Sequence, residues 1–240
     1  MEGVHYPTSL HRRVLGEVLA ELRGDPAVSG VLLGGSLARG TARTDSDLDV
    51  LVVAEADAGE FRWRRRERAL PVDFIVRSAP AWRTHFAPDR IGDESWGYMF
   101  LDGVVLHDPG GIVARLRADA AEIHAGYHVP AKIKDHYAWL WGHVRPKMIA
   151  VLERGDPVEI GWAAAAMTND LVRTVWAAND LPNPSLDIGT FQRHLDDLTV
   201  PEGVADRLRL ILASPPERAL RLQIELAALF AGPRDVGGGS

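Results

Sequence analysis

Two carboxylates, Asp47 and Asp49, stand two positions apart just after a glycine-rich turn. The turn, Gly34-Gly35-Ser36, ends an apolar run from Val28 to Leu33, and the carboxylates open a second apolar run that continues to Val53. Residues i and i+2 of a strand project to the same side. A strand beginning at the carboxylates therefore points Asp47 and Asp49 the same way and turns Leu48 into the core. Two adjacent carboxylates repel unless a positive charge stands between them. A divalent cation suits that place, because Mg²⁺ takes hard oxygen ligands and is commonly held by one or two carboxylates plus substrate phosphates. Gly34, Gly35 and Ser36 offer what a phosphate needs: backbone N–H groups with little side-chain bulk around them, and one hydroxyl. A short helix from Leu37 to Gly40 would turn its N-terminus to the same anion.

A third carboxylate lies in Pro71-Val72-Asp73-Phe74-Ile75-Val76, an apolar stretch that reads as a strand. A carboxylate among such neighbours needs a partner, since an unpaired buried charge is costly. Arg39 falls one helical turn beyond the glycines; both a surface charge and a contact with a triphosphate stay open for it. Asp45 and Ser46 shape the loop before Asp47, and Ser46 is also carried as a nucleotide contact.

Gly35-Ser36, ten intervening residues, Asp47-Leu48-Asp49, and Asp73 on a later strand together resemble the signature of the nucleotidyltransferase superfamily, the polymerase-beta-like fold. The resemblance covers roughly the first half of the chain. It implies catalytic and metal-binding roles for Asp47, Asp49 and Asp73, and nucleotide binding by Gly35, Ser36, Arg39 and Ser46. It implies Mg²⁺ as cofactor, ATP or another nucleoside triphosphate as co-substrate, and transfer of a nucleoside monophosphate to a hydroxyl with release of pyrophosphate. A helical second half is similar in arrangement to that of the aminoglycoside and lincosamide antibiotic nucleotidyltransferases. The expected acceptor is therefore a small molecule of that kind. A protein or tRNA acceptor, and a non-catalytic nucleotide-binding module, remain as alternatives, and both monomer and homodimer stay open.

The elements that must position these residues follow from periodicity. Leu10, Val14, Leu15, Val18, Leu19 and Leu22 recur at helical spacing behind a capping Thr8 or Ser9, which predicts a first helix. Strands are expected over Val28–Leu33, Leu48–Val53 and Leu70–Arg77. The alternation of Phe61, Trp63 and Arg65 predicts an edge strand pairing with the last of these, and the short interval from Asp49 to Asp73 predicts a hairpin. Arginines 62, 64, 65, 66 and 68 fit a solvated edge that resists aggregation. Trp96, Tyr98 and Phe100 at period two, with a turn at Asp102-Gly103, predict a second hairpin, and Ile112 to Ile123 a helix.

After Pro130 the pattern is helical throughout: Lys132–Arg154, Val158–Asn179, Gly189–Leu198, Gly203–Leu212 and Pro216–Phe230. The fold class expected is α+β, an N-terminal mixed-sheet domain over 1–127 followed by an all-α helical bundle over 128–236, with 237–240 a flexible tail. Trp139, Trp141, Trp162 and Trp176 read as bundle core, with one or two of them open to lining an acceptor pocket between domains, and His107, His136 and His143 show no metal-ligand spacing. Asp93, Glu94, Asp102, Asp135 and Asp170 would suit a cationic acceptor if they met in one cleft.

Composition sets the outer bounds. The chain has 240 residues and a formal net charge of −6, which argues against a general nucleic-acid binder. It has no cysteine, which excludes disulfides and thiolate chemistry. No apolar run approaches the roughly 20 residues that span a bilayer, and no signal-peptide pattern opens the chain. Cytoplasmic location is the expectation, since ATP and Mg²⁺ are found there.

Overall fold

The computed structural model describes residues 4–55, 69–86, 95–184 and 188–232. Its architecture is α+β, a four-stranded mixed sheet with helices followed by a helical C-terminal region. Helix α1 (Ser9–Arg23) starts where Thr8 accepts a hydrogen bond from the His11 N–H, and it buries Val14, Leu15, Val18, Leu19 and Leu22 along one face. Strand β1 (Val28–Leu33) follows, then the five-residue helix α2 (Gly35–Arg39) and strand β2 (Leu48–Ala54). Strand β3 (Val72–Ser78) leads into α3 (Ala79–Thr84); α4 (Ser95–Asp102), β4 (Val104–His107) and α5 (Ile112–Ala125) complete this part. The sheet order is β3-β2-β1-β4. β1 pairs antiparallel with both β2 and β4, whereas β2 and β3 run parallel.

One face of the sheet is sealed by α1. Val31, Leu33, Leu48, Val50, Val52, Val72, Phe74 and Val76 pack there with Val14, Leu15, Val18 and Leu22. The other face carries Leu32, Leu51 and Val53 against Trp82, Phe86, Phe100, Val113 and Leu116. Burial on both sides explains why β1 and β2 are almost uninterrupted apolar runs.

One sequence expectation about the sheet region is corrected and another falls outside the described residues. The strands of Asp49 and Asp73, β2 and β3, are parallel neighbours, and parallel strands require a crossover connection; the hairpin expected in that interval falls on residues 56–68, outside the described residues. The expected strand at Phe61–Arg65 and the arginine cluster lie outside the described residues, as do Asp93, Glu94 and the tail 237–240. Trp96 to Leu106 does not form a hairpin. Its first part is helix α4, because Trp96 and Phe100 are also one helical turn apart and both meet Trp82 edge-on, at ring-centre distances of 5.7 and 5.1 Å. A short apolar run satisfies both periods, and the aromatic cluster decides between them.

The chain divides into two compact units, Met1–Gly126 with Pro184–Gln192 and Tyr127–Asn183 with Arg193–Ser240. The second unit contains α6 (Ala131–Arg154), α7 (Pro157–Ala178), α9 (Val204–Ala213) and α10 (Pro216–Ala227); α8 (Ile188–His194) begins within the first. Asp156 caps α7 through the N–H groups of Val158 and Glu159. Trp141 and Trp176 are fully buried, and the Trp141 indole N–H donates to Thr174 Oγ1 at 2.7 Å. Trp139 and Trp162, expected in the core, are instead 62% and 75% exposed. Trp139 stacks on His143 at a ring-centre distance of 5.5 Å, and the Lys147 ammonium lies 2.8 Å from His143 Nε2. Lys134 pairs with Asp180 at 2.8 Å. Burial pushes the Asp180 carboxyl up, but hydrogen bonds from Lys134 and the Val129 N–H outweigh it and hold the group below the ordinary carboxylate value.

Candidate functional site

The parallel register of β2 and β3 sets Asp49 directly beside Asp73. Neighbouring strands lie about 4.8 Å apart, and paired residues in register occupy the same face. The two carboxylates are therefore side by side at the starts of their strands. Both are half-buried, while Leu48, Val50, Val72 and Phe74 on the opposite face are buried. Sequence spacing alone placed Asp47 with Asp49; Asp73 joins through pairing between strands far apart in the chain.

The glycine turn closes on this pair. The Gly34 N–H donates to the Asp49 carbonyl at 2.9 Å. Gly35 has φ +61°, and a Cβ placed on it would lie 1.8 Å from Asp49 Oδ2. The Asp49 carboxylate thus rests against the Gly35 backbone, in a space that any side chain would fill. The left-handed φ independently favours glycine here. Ser36 follows within α2, its carbonyl accepting the Thr41 N–H at 2.9 Å. The left-handed Gly40 caps this short helix, so the turn is held at both ends.

Asp47 differs from the expectation in one respect. β2 starts at Leu48, so Asp47 is half-buried in the preceding loop rather than on the strand. Its direction is set by loop geometry and not by strand alternation. Within that loop the Ser46 hydroxyl accepts the Arg43 N–H at 2.9 Å, and the Ser46 N–H donates to the Arg43 carbonyl at 3.1 Å. Ser46 therefore closes a tight turn. Asp47, Asp49 and Asp73 each interact with neighbouring groups.

Arg39 points at a segment that sequence reasoning did not connect with it. Its guanidinium covers Gly189, where a Cβ would stand 2.3 Å from Nη2, and it donates to the buried Thr190 Oγ1 at 3.4 Å. The partners are 151 residues apart in the chain, so no local pattern could show the contact. His11 was also missed. It sits fully buried on the apolar face of α1 and reaches the Ser46 carbonyl. The available signal was its position one turn before Val14 and Leu15, on the stripe that faces the core.

Among the described residues, no group of three or more His, Cys, Asp or Glu side chains forms a ready cage for a metal. The paired Asp49 and Asp73 fit a different kind of site. Mg²⁺ is commonly held by one or two carboxylates, with water and substrate phosphates completing its shell. Two hard oxygen donors on adjacent strands, one of them against the Gly35 backbone, match that donor set.

Residues 12–88 match the family model of the nucleotidyltransferase domain. The matched stretch, under half of the chain, is similar to that domain. The matched range includes Gly35, Ser36, Asp47, Asp49 and Asp73, and it supports a transferase enzyme with nucleoside-monophosphate transfer as its general function. Nucleotidyltransferase domains in general use a nucleoside triphosphate and a divalent metal. A similar solved structure is the nucleotidyltransferase-like protein of Exiguobacterium sibiricum 255-15, at 13% identity over 91% of this chain and 72% of that one, with a TM-score of 0.44. No curated protein matches the chain. Among the described residues, no helix is long and apolar enough to cross a membrane.

Proposed function

We propose that this protein is a Mg²⁺-dependent enzyme that transfers AMP from ATP to a hydroxyl of a small molecule, of the aminoglycoside or lincosamide antibiotic class, and releases pyrophosphate. The observation that carries this reading is the in-register pair Asp49 and Asp73, with the Asp49 carboxylate lodged against Gly35. Asp49 and Asp73 would hold the metal, with water and phosphate oxygens completing its shell, and Asp47 in the loop just before β2 is a further carboxylate beside them. When bound, it supplies charge neutralisation for the triphosphate and lowers the pKa of the acceptor hydroxyl. Gly35 and Ser36 offer N–H groups and a hydroxyl to the terminal phosphates. Arg39, anchored at Thr190, adds a fixed positive charge one turn away.

In the reaction, the acceptor oxygen forms a bond to the α-phosphorus and the bond to the β-phosphate oxygen breaks. The acceptor proton passes to Asp73 or to solvent, and pyrophosphate carries away the displaced electron pair. The domain contributes positioning and electrostatic stabilisation.

The test is incubation with labelled ATP, Mg²⁺ and a panel of aminoglycosides and lincosamides, with bulk tRNA and protein as parallel acceptors. Label transfer and pyrophosphate release that depend on one antibiotic class are expected. Transfer to tRNA or protein alone would overturn the small-molecule reading, and no transfer to any acceptor would overturn the reaction.

A further inference from the structure

His11 is completely buried in the sheet-bearing unit. Its Nδ1 lies 2.8 Å from Thr8 Oγ1, and its Nε2 lies 3.0 Å from the Ser46 carbonyl oxygen. A carbonyl can only accept, so Nε2 carries a hydrogen and donates. In the neutral ring Nδ1 then accepts, and the Thr8 hydroxyl donates to it. Thr8 is itself held as the cap of α1, accepting the His11 N–H at 3.4 Å. The imidazole thus spans from a capped helix end to the loop that carries Asp47.

The first part of that loop is tied down, with Ala42 packed against the core and the Thr41 N–H on the Ser36 carbonyl; its far end, next to Asp47, is where His11 attaches. Thr41, Arg43, Thr44 and Asp45 are exposed. The Arg43–Asp45 ion pair is 3.8 Å long with both side chains more than 80% exposed, too solvated to hold a conformation. The Arg43–Ser46 turn closes the loop on itself without tying it to the core. The Ser46 carbonyl and the Asp47 N–H belong to one planar peptide unit. A donor that fixes the carbonyl therefore fixes the plane from which Asp47 departs.

We propose that His11 is a positioning residue for the Asp47 carboxylate: a buried imidazole that sets the peptide before it and so aims it at the metal–triphosphate site. The proposal rests on the nucleotidyl-transfer reading above. Of the two amide replacements, His11→Gln places its NH₂ near the position of Nε2 and still reaches the Ser46 carbonyl. His11→Asn places its NH₂ near Nδ1 and reaches only Thr8.

The experiment compares wild type, His11→Gln and His11→Asn in amide hydrogen exchange at Ser46 and Asp47, in thermal melting, and in kcat and KM for ATP. Asn is expected to exchange about tenfold faster at those two amides and to lose about tenfold to a hundredfold in kcat, with the KM for ATP little changed. Gln is expected to stay within about threefold of wild type in both readouts, as its hydrogen bond is preserved. Equal behaviour of the two variants in exchange, whether unchanged or equally impaired, would overturn the proposal, because only Gln keeps a donor at the Ser46 carbonyl; melting temperature separates the effect of the methylene by which the two differ. Exchange needs no turnover. A wild-type protein that transfers nothing to any acceptor sinks the reaction, and the exchange comparison still decides whether His11 holds the loop.

Discussion

The two faces of the sheet are made by the same strands but carry different chemistry. Toward α1, strands β2 and β3 present Leu48, Val50 and Val52 and Val72, Phe74 and Val76, an unbroken apolar surface. On the opposite face the same strands present Leu51, Val53 and Ile75 deep in the sheet, but Asp49 and Asp73 at their starts. Alternation makes this possible: a strand buried on one face can change character on the other without losing its packing. The sealed face supplies stability, and the charged margin of the other face would supply the proposed site. A pair of like charges there costs stability by repulsion, and the rigid register behind it holds that pair together.

Substitutions test this division. Asp49→Asn and Asp73→Asn are expected to lower nucleotidyl transfer by about a thousandfold or more, on the scale of losing one preorganised electrostatic contact. The melting temperature should stay the same or rise, because a repulsion is removed. A fall in melting temperature with activity retained would mean that the pair is structural. Gly35→Ala puts a methyl group where Asp49 Oδ2 now lies and forces a left-handed φ on alanine. About a hundredfold loss of kcat and about 1–3 kcal/mol of strain are expected, read by steady-state kinetics and urea unfolding.

Leu22→Ala probes the sealed face, where Leu22 is fully buried. It should cost about 2–5 kcal/mol in urea unfolding while kcat of the folded enzyme changes little; a large kcat effect would deny that the faces act separately. The smallest effect is expected from Ser36→Ala, a rise of about three- to tenfold in KM for ATP, the scale of one hydrogen bond, with stability nearly unchanged. An unaltered KM would assign Ser36 to the turn alone.

Much of this was legible in the residues themselves. The helix behind Thr8, the apolar strands and the helical second half follow from periodicity, because helices and strands that bury one face must repeat at 3.6 or 2 residues. The glycine turn and the Asp47–Asp49 spacing were legible for the same local reason. The segment Trp96–Leu106 was misread because its aromatics fit both periods, and only Trp82 and Phe86, packed against Phe100, select the helix. Trp139 and Trp162 were misread because aromatic type predicts burial only on average, and the helix face that carries them is turned to solvent.

The sequence by itself determined the chemistry on offer: hard carboxylate oxygens, a turn without side chains, and no thiols. Local chain geometry is enough to read these. Only the tertiary structure decided that Asp73 stands beside Asp49, that Arg39 is anchored at Thr190, and that His11 reaches the peptide before Asp47. Those contacts join residues distant along the chain. They arise from strand register and helix packing, where the burial of many apolar side chains fixes positions that no single motif encodes.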